Sequence, residues 1–332
     1  MVTLKDIAQA CDVSVSTVSR ALNGIQLIRP ERAESIRQTA REMGYTPDAA
    51  AQTLKTNRSR MIGVLYEVPM THPYFSKVMD DIRMNAEERG YDILLLSRSS
   101  RNDYTENALR RRMDGVILVF ANVDASGVNR LISSDIPVIS VDDCSRPCDA
   151  VISDYQEGTR QLIELAARNG HQRIAFIHGQ MGYATGERLL AYRRAVKELG
   201  LCDNPGYIRQ AAFNNGAFCA RETEALLGLP KPPTCILMPD DYSAINALQL
   251  LQKKGIQAPR DFSCAGYDGI SWSQQISPKL TTYRQNTEEI GRTAFNILQS
   301  ALSEGKKHIM ANVLVHGALL SGETMGRIPP AC

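Results

Sequence analysis

Residues 3–24, TLKDIAQACDVSVSTVSRALNG, contain two short helical patterns that are separated by a tight turn. Thr3 can cap the start of the first helix, with Asp6 three residues later, and Ser14 can cap the start of the second. Two capped helices about eleven residues apart are typical of the helix-turn-helix that reads DNA. Caps are also a generic feature of helices, so an ordinary antiparallel helical pair remains open on these residues alone.

A third helix is predicted over residues 30–43, where apolar side chains recur at helical spacing. Pro30 suits the first helical position, and Gly44 suits the left-handed residue that ends a helix. The three helices can share one small core, which leaves the start of the second helix exposed to reach base edges in the major groove. The expected core members are Leu4, Ile7, Ala8, Val13, Val18, Leu22 and Ile36, with Tyr45 closing one end. The exposed residues are Val15, Ser16, Thr17, Ser19 and Arg20.

The next segment, TPDAAAQTLKTNRSR at residues 46–60, contains a strong but very short helix-forming stretch. Fewer than about 12 residues make only a marginal helix in water. We therefore expect this helix to fold only when another molecule supports it. The alternative is a flexible, alanine-rich linker.

From Met61 onward, short apolar runs alternate with amphipathic helical segments. The runs are MIGVLY, YDILLLS, GVILVF, IPVISV, IAFIH, TCILM and FSCAGY. Continuous runs of this kind are typical of buried strands in parallel sheets. The repeated strand–helix order predicts a doubly wound α/β fold, and about ten strands favour two lobes over one sheet. Ligands of such folds bind at the carboxyl ends of the strands, here in a cleft between the lobes.

The composition is that of a globular protein, with 43% hydrophobic residues, 22% charged residues and a net charge of +2. Residues 1–60 hold nine Lys and Arg against six Asp and Glu, so the basic excess lies in the helix-turn-helix region. There is no run of about 18 apolar residues and no apolar signal segment, so we expect a cytoplasmic protein without a membrane partner. The eight cysteines and five histidines show no ligand spacing, which indicates reduced thiols, no metal site and no cofactor.

The sequence lacks the short motifs of the common enzyme classes. GxSxG, GxxxxGK[ST], GxGxxG and HExxH are absent, and the glycine-rich GQMGYATGE lacks the lysine of a phosphate loop. We therefore expect no enzymatic activity. A plain solute-binding protein is a second alternative, but it would need export and would lack a DNA-reading head.

The chain resembles the lactose-repressor family of bacterial transcription factors. The resemblance rests on VTLKDIA, VSVSTVSRALNG and GYTPDAAAQTLKTNRSRMIGVL, and it continues through RRRMDGVILV, GHQRIAFIHG, ERLLAYRRAV, PDDYSAINAL and the stretch from GYDG to LTTYRQ. It implies a small all-α helix-turn-helix head with a hinge helix, followed by a two-lobed effector domain like that of periplasmic sugar-binding proteins. The implied divisions are a head over 1–46, a hinge and linker over 47–60, an N-terminal lobe of 61–156 with 288–312, and a C-terminal lobe of 157–287 with 313–332.

The resemblance also implies the DNA contacts. In the family the second helix reads the major groove of each half-site, and a hinge-helix leucine, matched here by Leu54, inserts into the minor groove. Such an apolar wedge unstacks bases at a cost of a few kcal/mol and gains a kinked duplex that contacts more protein. Lys55 is placed to hold the adjacent backbone. The expected DNA-binding residues are Thr3, Ser14, Val15, Ser16, Thr17, Arg20, Asn23, Ala51, Leu54 and Lys55.

Effector contacts are implied at turns that follow strands. Arg188 matches the family's ligand-clamping arginine, and Asp268 and Asp240 match two further cleft positions, although either acid could instead be a helix cap or a solvated turn. Asparagine is frequent in the family where this chain has Asp240. Because an ionised carboxylate accepts hydrogen bonds and repels anions, these groups suit neutral hydroxyls better than phosphate. The expected contacts are Phe75, Asp142, Arg188, Phe213, Asp240, Asp268 and Gln285.

Two further departures from the family pattern concern structure alone. Arg29 stands before Pro30, where the family often has a Ser or Thr cap, so the third helix is expected to start without a side-chain cap. The segment SRSSRNDYTENAL is shorter than usual, so the helix within it is expected to be clipped.

The resulting hypothesis is a repressor that binds a pseudo-palindromic operator in double-stranded DNA as a homodimer. A neutral sugar or glycoside in the cleft would alter lobe closure and hence the spacing of the two hinge helices. A regulator that responds to a nucleobase or a sugar phosphate is the alternative. The tail after Val315 has no heptad repeat, so no tetramerising coiled coil is expected.

Overall fold

The chain divides into two compact units, Met1–Ser59 and Arg60–Cys332. The structure, a computed structural model, describes residues 2–22, 28–46, 53, 58–66, 71–96, 103–119, 126–305 and 309–328. Within these ranges, no helix combines the length and the apolar character that crossing a bilayer requires.

The described part of the first unit includes the helices α1 (Leu4–Ala10), α2 (Val15–Leu22) and α3 (Pro30–Glu42). The cap expected at Thr3 is present as a reciprocal pair, because Asp6 N–H donates to the Thr3 hydroxyl at 3.4 Å and Thr3 N–H donates to Asp6 Oδ2 at 2.8 Å. These bonds satisfy donors that the first helical turn would otherwise leave without partners.

All of the expected core members of this unit pack together. Ile7, Val18 and Ile36 are completely or almost completely buried. Leu4, Val13, Leu22 and Tyr45 are the partly buried members packed against them. As expected, α3 starts at Pro30 without a side-chain cap. Gly44 has a φ of +69°, the left-handed conformation that favours glycine after a helix.

The second unit contains two six-stranded sheets. The first sheet is formed by β1 (Met61–Tyr66), β2 (Asp92–Leu96), β3 (Gly115–Val119), β4 (Val138–Val141), β5 (Asp149–Ser153) and β11 (Asn312–Val315). The second is formed by β6 (Ile174–His178), β7 (Ile208–Gln210), β8 (Cys235–Leu237), β9 (Ser263–Asp268), β10 (Thr281–Arg284) and β12 (Ala318–Leu320).

The two sheets have equivalent strand orders, β11-β5-β4-β3-β1-β2 and β12-β10-β9-β8-β6-β7. Every strand pair is parallel except β12 with β10. Each of the seven apolar runs contains a strand of this fold, so the predicted doubly wound, two-lobed α/β architecture is confirmed. The short strands β5, β7, β10, β11 and β12 were not among the predicted runs.

Helices cover the sheets in the alternating order that the sequence predicts. They are α4 (Pro73–Glu88), α5 (Tyr104–Arg110), α6 (Ser126–Ile132), α7 (Tyr155–Arg168), α8 (Tyr183–Glu198), α9 (Gly216–Leu227), α10 (Asp241–Gln252) and α11 (Thr287–Glu304). Arg188 lies in α8, which begins at Tyr183. The helix in the segment expected to be clipped is α5, which has seven residues.

The chain passes between the sheets three times, after β5, after β10 and after β11. Two lobe boundaries differ from those expected from the sequence. The break placed after residue 156 falls inside α7, which begins at Tyr155. The break placed after residue 312 falls inside β11, which pairs with β5 as far as Val315. Strand pairing therefore keeps residues 313–315 in the first lobe.

Candidate functional site

The start of α2 presents a cluster of hydroxyl groups. Ser14 Oγ accepts the Thr17 N–H at 3.2 Å and so caps the helix, and it lies 2.8 Å from both Ser16 Oγ and Thr17 Oγ1. Ser14, Val15 and Ser16 are exposed, whereas Val18 is completely buried. The face that packing leaves free is thus the face expected to read base edges, at the positive end of a helix.

The structure describes only two of the other expected DNA-binding residues, Thr3 and Arg20. Thr3 is engaged in the cap of α1, and Arg20 is exposed in the last turn of α2. Asn23, Ala51, Leu54 and Lys55 lie outside the described residues, as does most of the expected hinge segment, so their roles remain predictions from the sequence.

The seven expected effector contacts all follow the carboxyl ends of strands in the second unit. Phe75 follows β1, Asp142 follows β4, Arg188 follows β6, Phe213 follows β7, Asp240 follows β8, Asp268 ends β9 and Gln285 follows β10. Five of these side chains are buried, and Phe213 and Asp268 are partly buried. Because parallel strands bring their carboxyl ends to one edge, both lobes direct polar groups toward a shared cleft.

Arg188 is buried and turned back onto its own lobe. Its guanidinium donates to the carbonyl oxygens of Pro239 at 2.7 Å and Met238 at 3.2 Å. The guanidinium carbon lies 4.0 Å from the ring centroid of Tyr267. Burial lowers the pKa of Arg188, and the nearby Tyr267 and Asp268 oppose that effect. Its Nε has no hydrogen-bond partner among the described residues and remains able to donate to a ligand.

Asp268 is held in a strained backbone conformation beside this arginine. Its φ is +106°, and Gln285 Nε2 donates to its Oδ1 at 2.8 Å. Burial, followed by the charges of Asp241 and Asp240, raises the pKa of Asp268 well above its usual range. Backbone strain of this kind persists only where neighbouring structure maintains it, and it clusters at functional sites.

Asp142 is the corresponding acid of the first lobe, with a φ of +68°. Burial raises its pKa to about 6, although the hydroxyls of Tyr155 and Tyr74 lie close enough to oppose the effect. Neither carboxylate oxygen has a hydrogen bond of ordinary geometry within the described part of the chain. Tyr74 and Tyr155 were not selected from the sequence, because an aromatic residue at a strand end carries no signal for its partner.

Asp240 caps α10, the alternative that the sequence left open for it, and its expected contact with an effector stays a prediction. Its Oδ1 accepts the Ser243 N–H at 2.6 Å, and its Oδ2 accepts Ser243 Oγ at 2.7 Å and the Asn214 N–H at 3.1 Å. A carboxylate has about four acceptor positions, so three are already used. Asp240 therefore contributes mainly its charge near Arg188.

Asp241, which was not selected from the sequence, is a completely buried carboxyl behind the cleft. Its Oδ1 accepts Thr282 Oγ1 at 2.6 Å, and its Oδ2 accepts the Ile270 N–H at 2.9 Å. Burial raises its pKa to about 8. At neutral pH it therefore retains its proton, which lowers the negative charge that surrounds Arg188.

Aromatic side chains form the apolar walls. Phe75 lies edge-on to Tyr74, with ring centroids 4.8 Å apart. Phe213 packs over Gly179, where an added Cβ would lie 2.3 Å from the ring, and its N–H donates to Gln180 Oε1 at 3.1 Å. The cleft thus combines flat apolar surfaces with polar atoms that have no partner among the described residues, which is the pattern of a ligand site.

Comparisons with known proteins agree with this arrangement. Residues 3–48 match the family model described as bacterial regulatory proteins, lacI family, and residues 163–325 match a periplasmic binding protein-like domain. The chain is 30% identical over 317 residues to the HTH-type transcriptional repressor PurR of Vibrio campbellii, covering 93% of this chain and 94% of the relative. It is 29% identical over 316 residues to PurR of Aliivibrio salmonicida, covering 92% and 93%. The lac repressor dimer bound to operator and the anti-inducer ONPF superposes with a TM-score of 0.83 at 24% identity, covering 98% and 99%.

Proposed function

Because the chain belongs to the lacI family of bacterial regulatory proteins, and so is a DNA-binding transcriptional repressor, we propose that a small neutral sugar or glycoside in its cleft controls it. The observation that carries the proposal is the set of buried polar atoms near Arg188 that have no hydrogen-bond partner among the described residues. Burial also raises the pKa of Asp142, Asp241 and Asp268. The Arg188 guanidinium, which lies near Asp240 and Asp268, already donates to two carbonyl oxygens.

Hydroxyl groups match the atoms that lack partners. Arg188 Nε can donate, Gln285 Oε1 can accept, and the hydroxyls of Tyr74 and Tyr267 can do either. A sugar offers several hydroxyls at different angles, each of which donates and accepts. Its CH face can pack on the half-buried ring of Phe213.

A nucleobase is the second candidate. The supporting observation is the pair of aromatic rings of Phe75 and Tyr74, together with the paired side chains of Asp268 and Gln285, which offer a donor and acceptors in one place. A planar base could stack on an aromatic ring and form hydrogen bonds with Asp268 and Gln285. A sugar phosphate fits less well, because a dianion would need more cations than Arg188 supplies.

Calorimetric titration of the full chain separates these classes. The probes are a panel of neutral mono- and disaccharides, hypoxanthine and guanine, and glucose 6-phosphate. The single tryptophan, Trp272, is exposed and follows Asp268 closely in the chain, so its fluorescence gives a second readout. Tight binding of a base or a sugar phosphate without any neutral sugar would overturn the sugar assignment.

We further propose that a homodimer binds a pseudo-palindromic operator, with one head, residues 1–46, on each half-site. The exposed hydroxyl cluster at Ser14, Ser16 and Thr17 supports the reading role of α2. Removing residues 1–60 should abolish binding to duplexes that the full chain selects from a random library, while ligand binding is retained. If the full chain selects no duplex, the operator assignment is wrong.

A single substitution tests the expected insertion of Leu54 into the minor groove. Leu54→Ala should weaken binding to the selected duplex and leave ligand affinity nearly unchanged, because the wedge contributes only when the DNA is kinked. Leu190→Ala, at an exposed position of α8, is the matched control. Unchanged duplex affinity in Leu54→Ala would contradict the wedge.

A further inference from the structure

A cavity of about 470 Å³, here called the lateral cavity, lies between α7 and α8 and reaches β11. Its volume is within the range of small-molecule sites. Ser153 and Leu314 belong to strands of the first lobe, whereas Glu187 and Glu198 belong to α8 of the second. A molecule bound here would therefore contact both lobes at once.

The walls of the lateral cavity carry an excess of negative charge. The charged residues on them are Asp154, Glu157, Glu187, Glu198, Arg160 and Arg194. Glu157 is paired with Arg160 at 2.8 Å. Among the described residues, Glu187 and Glu198 have no cationic side chain within ion-pair distance; Glu187 accepts a hydrogen bond only from the neutral amide of Gln156, at 2.6 Å. Two carboxylates are thus available to a positively charged ligand.

These two carboxylates stand at opposite ends of an apolar strip. Glu187 and Glu198 are about 16 Å apart along α8 at about 1.5 Å per residue. Ala191 and Ala195 lie between them, together with Arg194, whose guanidinium donates to Gln156 Oε1 at 3.2 Å, and Leu314 adds an apolar side chain from β11. Charge at both ends and small apolar residues between them fit a chain of methylene groups with cationic ends.

Two further features of the walls favour an ammonium ligand. The rings of Tyr155 and Tyr183 meet edge-on, with centroids 6.4 Å apart, and aromatic faces attract ammonium groups. Ser153 is 1% exposed, and its Oγ has no hydrogen-bond partner among the described residues. A buried hydroxyl without a partner is unfavourable, and an N–H donor of the ligand would satisfy it.

We propose that the lateral cavity is a second ligand site, separate from the effector cleft, which binds a linear polyamine. Its ammonium groups would meet Glu187, Glu198 and Ser153, and its methylene groups would lie on the alanines of α8. Since the walls come from both lobes, occupancy would favour one lobe arrangement and so affect the same conformational equilibrium as the effector. A compact cation lacks the length to span the strip.

Calorimetry with spermidine on the full chain at moderate salt tests this site. We expect one spermidine per chain, at least tenfold weaker binding in Glu187→Gln or Glu198→Gln, and several-fold weaker binding in Ser153→Ala. Glu224→Gln, which removes the same charge from α9 of the same lobe outside the cavity, should bind like the unmodified chain.

The outcomes are decisive in either direction. Absence of spermidine binding overturns the proposal, as does equal weakening by Glu224→Gln, which would indicate attraction to surface charge in general. Displacement of spermidine by Mg²⁺ at an equal concentration of positive charge would also overturn the proposal, since only a long cation should reach both Glu187 and Glu198. If Glu187→Gln fails to fold, Glu198→Gln, at an exposed position near the end of α8, gives the same comparison.

Discussion

The two lobes have equivalent strand orders but present different chemistry at equivalent strand ends. β4 and β9 hold the third position in their sheets, and each leads to an aspartate with a left-handed backbone, Asp142 and Asp268. Asp268 is held by Gln285 and lies near Arg188. Asp142 has tyrosine hydroxyls beside it. The repeated topology therefore determines where each carboxyl lies, while the side chains packed around the carboxyl determine its pKa.

This difference suggests that the two lobes contribute differently to ligand binding. The second lobe holds its polar groups in fixed hydrogen bonds, so its half of the site is organised before the ligand arrives. In the first lobe, the Asp142 carboxyl lies beside the hydroxyls of Tyr74 and Tyr155 without hydrogen bonds of ordinary geometry among the described residues, and a ligand would satisfy these groups as the lobes close. The second lobe should therefore contribute most of the binding energy.

The largest expected effect is that of Arg188→Met, which keeps the apolar volume and removes the charge. The buried carbonyl oxygens of Pro239 and Met238 lose their donor, so we expect a loss of about 1–3 kcal/mol in the free energy of unfolding and no measurable ligand binding. Urea unfolding and calorimetry measure both quantities. Arg193→Met, at an exposed position of α8, is the control, and an equal loss in both variants would contradict a special role for Arg188.

The comparison of the lobes is tested directly by Asp268→Asn and Asp142→Asn. Asparagine at position 268 places an amide where a carboxyl oxygen stood, and a mispaired buried polar group costs about 1–3 kcal/mol. That corresponds to roughly a tenfold to hundredfold weaker ligand affinity. We expect less than about a tenfold loss for Asp142→Asn, because its oxygens have less fixed partners. Equal losses would mean that the lobes contribute equally.

The pH dependence of stability should also differ between the two lobes. The pKa of Asp142 is raised from 3.8 to about 6 and that of Asp241 to about 8, so the folded state binds these protons more tightly than the unfolded chain. Their stabilisation is complete below the unfolded value and is lost as pH rises through the folded value. The slope is at most about 1.4 kcal/mol per pH unit for each proton.

Two variants separate these windows. Asp142→Asn should flatten the decline below about pH 6, whereas Asp241→Asn should flatten the decline that continues toward pH 8. Urea unfolding at several pH values measures the slopes, which are informative even if a variant is less stable at every pH. A decline that neither variant changes would refute the assignment of these protons.

The smallest expected effect is that of Gln285→Leu, which removes the amide that orients Asp268. The loss of one hydrogen bond, about 0.5–1.5 kcal/mol, should weaken ligand affinity roughly threefold to tenfold. Tyr74→Phe removes a hydroxyl beside Asp142 and provides the matching change in the first lobe. A larger effect from Tyr74→Phe would reverse the proposed order of the lobes.

Local patterns in the sequence were sufficient for much of the fold. The cap at Thr3 and the apolar runs that became strands each depend on neighbours a few residues apart, so they are readable without tertiary structure. β7 and β12 have three residues each, and their pairing depends on partners distant in the chain. Such strands have too few residues to show a pattern of their own.

The sequence predicted that the site residues lie near strand ends, but it did not predict their hydrogen-bond partners or their burial. The structure brings Arg188, Asp268 and Gln285 together near strand ends, because parallel strands bring these turns to one edge, and their contact with an effector stays a prediction. The cap that Asp240 forms with Ser243, three residues later, is local and was left open by the sequence, whereas Asp241 was missed because nothing local marks an acid as buried.

The sequence by itself determined a capped helical pair, an alternating α/β body and the turns where ligand contacts are expected, since each depends on local spacing. Tertiary structure alone decided which acids have raised pKa values. Asp142, Asp241 and Asp268 are the same residue type at or shortly after strand ends, and their pKa values rise because distant segments exclude water from them. Desolvation and proximity across the fold set that chemistry, and neither is encoded in adjacent residues.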